Sequence, residues 1–259
     1  QIGDMNNDGK NDIVVASGNY YVLCFNGNAS VSGDLMWSFN TGYNNNNTGA
    51  VVWEDGMQIR DDVNGDGIQD VVFGCAGGNE MVYTISGRTG KQIWAWGDSV
   101  SFQDGDIEAV RADKDFNGDG VKDVLVSASG TGNGAGGRHA LVCLNGLNGS
   151  QIFYVTQASD FTGDIISTQF GGAIGNGANG GAYSVKGFNN SGSEIWGYNV
   201  NAKVWSLKEF PTINADTVKE IIGNYGFAGN LFCLAASNGN VNWTKTLSSS
   251  NNGRIQLLD

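Results

Sequence analysis

Apolar residues fall in short runs along this chain, and each run is closed by a cluster of Gly, Asn, Asp or Ser. Ile13-Val14-Val15, Val71-Val72-Phe73 and Val124-Leu125-Val126 are examples. Runs of this length between turn residues predict β-strands rather than helices. Strands are expected over Asp12–Ser17, 20–25, 35–39, Met57–Arg60, 107–112, 165–170, Val204–Phe210 and 254–258. A turn glycine followed four residues later by an aromatic recurs five times: Gly33 to Trp37, Gly90 to Trp94, Gly149 to Phe153, Gly192 to Trp196 and Gly239 to Trp243. The aromatics stand 57, 59, 43 and 47 residues apart.

A repeat of about 50 residues holding several short strands has the size of one four-stranded blade. The expected fold is therefore all-β, a β-propeller of five four-stranded blades with its five aromatics packed between them. One domain spanning 1–259 is expected, because 259 residues suffice for a single large β core. The chain opens inside a repeat, so it is expected to belong to a longer protein. The strand at 254–258 is expected to pair with the first blade and close the ring, although it would equally lead into a further blade.

Composition agrees: 41 glycines and a single proline suit many turns, and 40% hydrophobic with 15% charged residues argues against disorder. No run is apolar for long enough to span a bilayer. The net charge of −12 disfavours nucleic acid and anionic membrane as partners.

Nine of the 26 acidic residues are concentrated in three loops of one frame. Asp4, Asn6, Asp8 and Asp12 hold positions one, three, five and nine of the first. Asp62, Asn64, Asp66 and Asp70 do so in the second, and Asp115, Asn117, Asp119 and Asp123 in the third. A glycine holds the sixth position each time, and an apolar run follows. Oxygens in this alternation suit a hard cation such as calcium, which takes six to eight of them at about 2.3–2.6 Å. Position twelve is Val15, Phe73 or Val126, not the Glu of an EF-hand. The bidentate ligand is therefore expected at position nine, and a backbone carbonyl ligand at position seven: Lys10, Ile68 and Val121. Three calcium ions are expected. The same residue types also make plain turns, but turn chemistry needs no ninth carboxylate.

These loops, each running into a strand, resemble the FG-GAP repeats of integrin α-subunit propellers. The resemblance implies a calcium-binding β-propeller outside the cytosol, at the cell surface or secreted. Thr84-Ile-Ser-Gly-Arg-Thr-Gly-Lys-Gln-Ile-Trp94 is similar to the repeat of quinoprotein dehydrogenases, in which the Trp packs between blades. Those enzymes are associated with a vicinal disulfide, and this chain has no adjacent cysteines.

Two blades depart from the pattern. Blade four has Gly171-Gly-Ala-Ile-Gly-Asn-Gly-Ala-Asn-Gly-Gly181 where a loop is expected, with no carboxylate, and no metal is expected there. Blade five keeps Thr212, Asn214, Asp216, Thr217 and Glu220 but loses the glycine and first aspartate, which predicts a weaker site. Cys24, Cys143 and Cys233 occupy equivalent strands in different blades and are expected as buried thiols; Cys75 is left open. Five glycosylation sequons begin at Asn28, Asn46, Asn148, Asn189 and Asn242.

Catalytic chemistry is thinly represented. His139 is the single histidine and stands in no nucleophile motif. Asp104, Asp106 and Glu108 are expected to be a solvated loop. Gly130-Thr-Gly-Asn-Gly-Ala-Gly-Gly137 lacks the Lys and helix of a phosphate loop and reads as a hairpin. The leading expectation is a binding and adhesion module with a protein or glycan ligand on its loop faces. A polysaccharide lyase using Lys208, Arg111 or His139, a quinoprotein, and a self-assembling structural subunit remain as second readings.

Overall fold

The computed structural model describes residues 1–17, 19–28, 33–42, 52–53, 55–77, 80–97, 105–129, 139–156, 161–177, 184–200, 202–213, 217–226, 229–247 and 255. Five four-stranded sheets follow one another in chain order, each a simple antiparallel meander. Blade one holds β1 (Ile2–Gly3), β2 (Asp12–Ser17), β3 (Tyr21–Phe25) and β4 (Leu35–Asn40). Blade two holds β5 (Met57–Arg60), β6 (Asp70–Gly74), β7 (Val82–Ile85) and β8 (Gln92–Trp96). Blade three holds β9 (Ile107–Lys114), β10 (Asp123–Ser129), β11 (His139–Leu144) and β12 (Gln151–Thr156). Blade four holds β13 (Phe161–Thr168), β14 (Gly171–Gly177), β15 (Ser184–Asn189) and β16 (Glu194–Asn199). Blade five holds β17 (Val204–Phe210), β18 (Glu220–Tyr225), β19 (Asn230–Ala235) and β20 (Val241–Thr246). The chain is a five-bladed β-propeller fold. The expected strand at 254–258 lies outside the described residues apart from Ile255.

Each seam between successive blades has its own core. Val14, Trp37, Val71 and Phe73 share one across blades one and two. Val72, Trp94, Val110 and Val126 join blades two and three. Leu125, Phe153, Ile165 and Phe188 join three and four, and Ile166, Trp196, Leu207 and Phe232 join four and five. β6 and β10 are buried at every position because each lies between two neighbouring blades, whereas β2 of blade one alternates buried and exposed residues.

The repeated glycine explains the seam. Gly90, Gly149, Gly192 and Gly239 all adopt positive φ, and a Cβ there would fall 2.9, 2.6, 2.7 and 2.6 Å from the rings of Trp37, Trp94, Phe153 and Trp196. The aromatic of one blade thus lies flat on the bare hairpin of the next. Three of the indoles also donate Nε1–H to that hairpin: Trp37 to Gly87 O at 2.6 Å, Trp94 to Gly146 O at 3.0 Å and Trp196 to Ala236 O at 3.0 Å. Four of the five aromatics are buried between blades as expected. Trp243 is not: it is 38% exposed, and every residue of β20 is exposed with it. The equivalent glycine of blade one, Gly33, would turn its Cβ toward Phe25 and not toward an indole.

Blade four corrects the reading of its glycine run as a loop. Residues 171–177 are the strand β14, and β13 turns into it through Gln169-Phe170 alone. A Cβ at Gly172 would press on Leu125 of blade three, and one at Gly175 on Val204 of blade five. The glycines are a strand thinned so that both neighbours can approach. All four cysteines, including Cys75, are buried free thiols. Burial pushes the Cys24 thiol up to about 12, with the Asp12 charge adding to the rise, so it stays protonated and unreactive.

Candidate functional site

Two places gather functional side chains, one at each end of the innermost strands β1, β5, β9, β13 and β17. The three acidic loops follow the ends of β1, β5 and β9.

In every loop the first aspartate folds the chain around its own carboxylate. Asp62 accepts from the N–H groups of Gly65, Asp66 and Gly67 at 2.8, 3.3 and 2.7 Å. Asp4 does the same for Asn6, Asp8 and Gly9, and Asp115 for Gly118 and Gly120. The third-position amide oxygens of Asn6, Asn64 and Asn117 accept from the fifth residue's N–H at 2.9, 2.8 and 2.8 Å. Asp8, Asp66 and Asp119 in turn accept from the N–H of Lys10, Ile68 and Val121. Gly9, Gly67 and Gly120 sit at φ of 81°, 85° and 88°, which explains the invariant sixth position.

The ninth aspartates do something the spacing did not reveal. Asp12, Asp70 and Asp123 are fully buried. One oxygen of each accepts from the loop's second residue, Met5, Val63 or Phe116, at 2.8 Å. The other accepts from Gly27, Gly87 or Gly146, at 2.9, 3.2 and 2.9 Å. Gly87 and Gly146 are the hairpin residues whose carbonyls receive Trp37 and Trp94. One carboxylate therefore ties its loop to the hairpin that anchors the preceding blade. Fifth-position aspartates reach the same hairpins: Asp66 accepts from Ser86 at 2.9 Å and stands 3.6 Å from Arg88, and Asp119 accepts from Asn145 at 2.7 Å.

The donor set fits a hard cation: carboxylates, amide oxygens and a carbonyl in loop order. Among the described residues, however, no three His, Cys, Asp or Glu side chains are gathered so as to hold an ion. A cation would need the first- and fifth-position carboxylates to turn inward from their N–H partners. Electrostatics differ within a loop. Burial pushes Asp70 and Asp123 up, only partly offset by their N–H partners. Burial also pulls Asp66 upward, but Ser86, the Ile68 N–H, Asn64 and Arg88 outweigh it and hold it below the ordinary range. In the decayed loop of blade five, Glu220 is buried and accepts from Asn242 at 2.7 Å, while Asn214 and Asp216 lie outside the described residues.

The second place is the propeller axis at the other face. Asp164, with a side chain 1% exposed, collects partners from the blades on either side of its own. Arg111 reaches it at 2.7 Å and Lys208 at 3.7 Å, and the N–H of Leu207 donates to it at 2.9 Å. Arg111 also meets Asp55 of blade two at 3.3 Å. The structure thus brings Arg111 and Lys208 together, and neutralises both. His139 stands two strands out, opposite Ser129. Beside this cluster opens a cleft of about 250 Å³, lined by Trp53, Glu108, Gly163, Asp164, Lys203 and Trp205. Lys203 Nζ lies 3.9 Å from Glu108 and 4.8 Å over the Trp205 ring. The expectation that Asp106 and Glu108 form a solvated loop is corrected. Asp106 is buried and accepts from Gly77 at 2.6 Å, and Glu108 lines the cleft; Asp104 lies outside the described residues, as does 130–137. Neither tryptophan carried a sequence signal beyond its position just before or at the start of an innermost strand.

No family model matches this chain, and no curated protein does. Many solved structures do. Sqt1 of Saccharomyces cerevisiae superimposes with a TM-score of 0.67 at 12% identity, over 93% of this chain and 58% of that one. The C-terminal WD40 domain of Sif2 gives 0.63 at 11% over 95% and 59%. A europium-containing methanol dehydrogenase gives 0.63 at 12% over 94% and 52%. The chain spans 52–59% of the length of these three neighbours. At such identity the likeness establishes the propeller fold, and a WD40 domain and a dehydrogenase share it.

Proposed function

We propose that this chain is a calcium-stabilised propeller outside the cytosol that acts as a binding and adhesion module for a protein or glycan. The observation that carries the reading is the repeated clamp. Three loops of one frame each end in a buried aspartate that holds a hairpin, and on two of those hairpins, at Gly87 and Gly146, a neighbouring tryptophan rests. Ions there would be held by Asp4, Asn6, Asp8 and Asp12 with the Lys10 carbonyl. Asp62, Asn64, Asp66 and Asp70 with Ile68, and Asp115, Asn117, Asp119 and Asp123 with Val121, would hold the other two. The charge supplied by a divalent ion relieves the repulsion among three carboxylates and fixes the loop on its strand. The integrin-like loop frame supports a place at the cell surface or in the medium, and Asn148 is exposed on a hairpin where a glycan is tolerated.

Thermal melting with and without calcium tests this reading. At a hundredfold excess over its Kd each ion adds about 2.7 kcal/mol. Chelation is expected to lower the melting temperature by several degrees, and Asp66→Ala to reproduce part of the loss. Coincident melting curves from protein shown to be metal-free would refute a structural ion.

A further inference from the structure

The axial cleft is built, not incidental. Its lining comes from four blades: Trp53 of blade two, Glu108 of blade three, Gly163 and Asp164 of blade four, and Lys203 and Trp205 of blade five. The floor is rigid. Asp164 is locked by Arg111, the Leu207 N–H and Lys208, so its charge is spent inside the protein. Gly163 keeps the floor tight, since a Cβ there would strike the carbonyls of Gly175 and Val204. The cleft is lined by two indoles and one acid–base pair. Trp53 is 48% exposed. Glu108 and Lys203 oppose each other and leave the mouth close to neutral.

We propose that this cleft is a carbohydrate subsite that takes one neutral pyranose ring. Ligand sites combine aromatic walls with a few placed polar groups, and an indole offers a broad apolar face. The C–H face of a pyranose suits the exposed Trp53, with Trp205 as a second apolar wall that holds Lys203 over its ring, while Glu108 accepts from and Lys203 donates to the sugar hydroxyls. An anionic sugar would meet Glu108 and a chain of net charge −12. A cationic ligand would compete with Lys203 for its one carboxylate. The cleft volume of about 250 Å³ accommodates one ring and not a folded peptide segment.

This site deepens the reading as a binding module by naming a ligand class, and it is independent of the calcium loops at the other face. The test titrates the protein calorimetrically with glucose, galactose, mannose and N-acetylglucosamine, each free and as a trisaccharide, and with a galacturonic acid trisaccharide as the acidic control. At least one neutral sugar is expected to bind. Trp205→Ala and Glu108→Gln should each weaken it at least tenfold, and Trp53→Ala, at an exposed position, should do so with an unchanged melting temperature. Trp243→Ala, at the far edge of blade five, should leave binding intact. No binding by any neutral sugar, binding untouched by Trp53→Ala, or a preference for the acidic trisaccharide would each overturn the proposal. Sugar binding that survives when chelation leaves the melting curve unmoved would refute structural calcium and keep the subsite; the reverse pattern would do the opposite.

Discussion

Blade three and blade five are the same four-stranded meander, yet they differ in what holds their edges. Phe153 of blade three rests on Gly192 of blade four and meets Phe116 edge-on at 6.1 Å. Trp243 of blade five holds the same place in the repeat and, among the described residues, rests on nothing comparable, with all of β20 exposed around it. At its inner end, blade three has an aspartate that gathers three backbone N–H groups, from Phe116, Asn117 and Gly146. Blade five has Glu220, joined to Asn242 on its own outer strand. A repeat's sequence therefore specifies one half of each seam, and the energy appears only where the next blade supplies the other half.

The largest effect should come from the aromatics. Phe153→Ala and Trp94→Ala each remove a buried ring from a seam and are expected to cost about 3–5 kcal/mol. Trp243→Ala should stay within about 1 kcal/mol, as exposed substitutions do. Chemical denaturation of the three variants reads the comparison directly. An equal loss at Trp243 would mean that β20 is covered in solution.

A smaller effect should separate the two inner ends. Asp123→Ala strands the buried N–H groups of Phe116 and Gly146, each worth about 1–3 kcal/mol when left without a partner. Glu220→Ala breaks the bond to Asn242 on an exposed strand and should cost less. If Glu220→Ala costs as much as Asp123→Ala, the loop clamp is not what distinguishes blade three.

Much of this organisation was legible in the sequence, and what was missed has a common cause. Met57–Arg60 and Val204–Phe210 fall on the expected strands because period and turn residues are local signals. The glycine–aromatic pairs were readable because both partners recur at fixed spacing. The exposure of Trp243 was not, since burial depends on a neighbour and not on the repeat itself. Gly171–Gly177 looked like loop chemistry, but its glycines answer to side chains of blades three and five, far away in sequence. The second role of Asp12, Asp70 and Asp123 was hidden for the same reason: their partners at Gly27, Gly87 and Gly146 lie 15, 17 and 23 residues on. The axial cluster of Arg111, Asp164 and Lys208 joins three blades, and no local pattern announces it.

The smallest effect sets the two carboxylates of blade three's loop against each other, Asp123 buried and Asp119 exposed. In metal-free protein, burial pushes Asp123 up from the usual 3.8 against the pull of Gly146, Phe116 and Asn117. Its folded state holds the proton more tightly than the unfolded chain, so that contribution is present below 3.8 and is lost as pH rises through the raised value. Asp119 runs the other way. The Val121 N–H and the amides of Asn117 and Asn145 hold it low against slight desolvation, so its contribution is present above 3.8 and is lost as pH falls through the lowered value. Melting temperatures of wild type, Asp123→Asn and Asp119→Asn in chelator across this range should reveal it. The advantage of wild type over Asp123→Asn should shrink as pH rises, while its advantage over Asp119→Asn should grow. Calcium favours both carboxylates in their charged form, so adding it should turn the Asp123 curve to match the Asp119 curve. Two curves that slope alike in chelator would show that burial does not set the state of Asp123. An Asp123 curve that calcium leaves unturned would take that residue out of the ligand set.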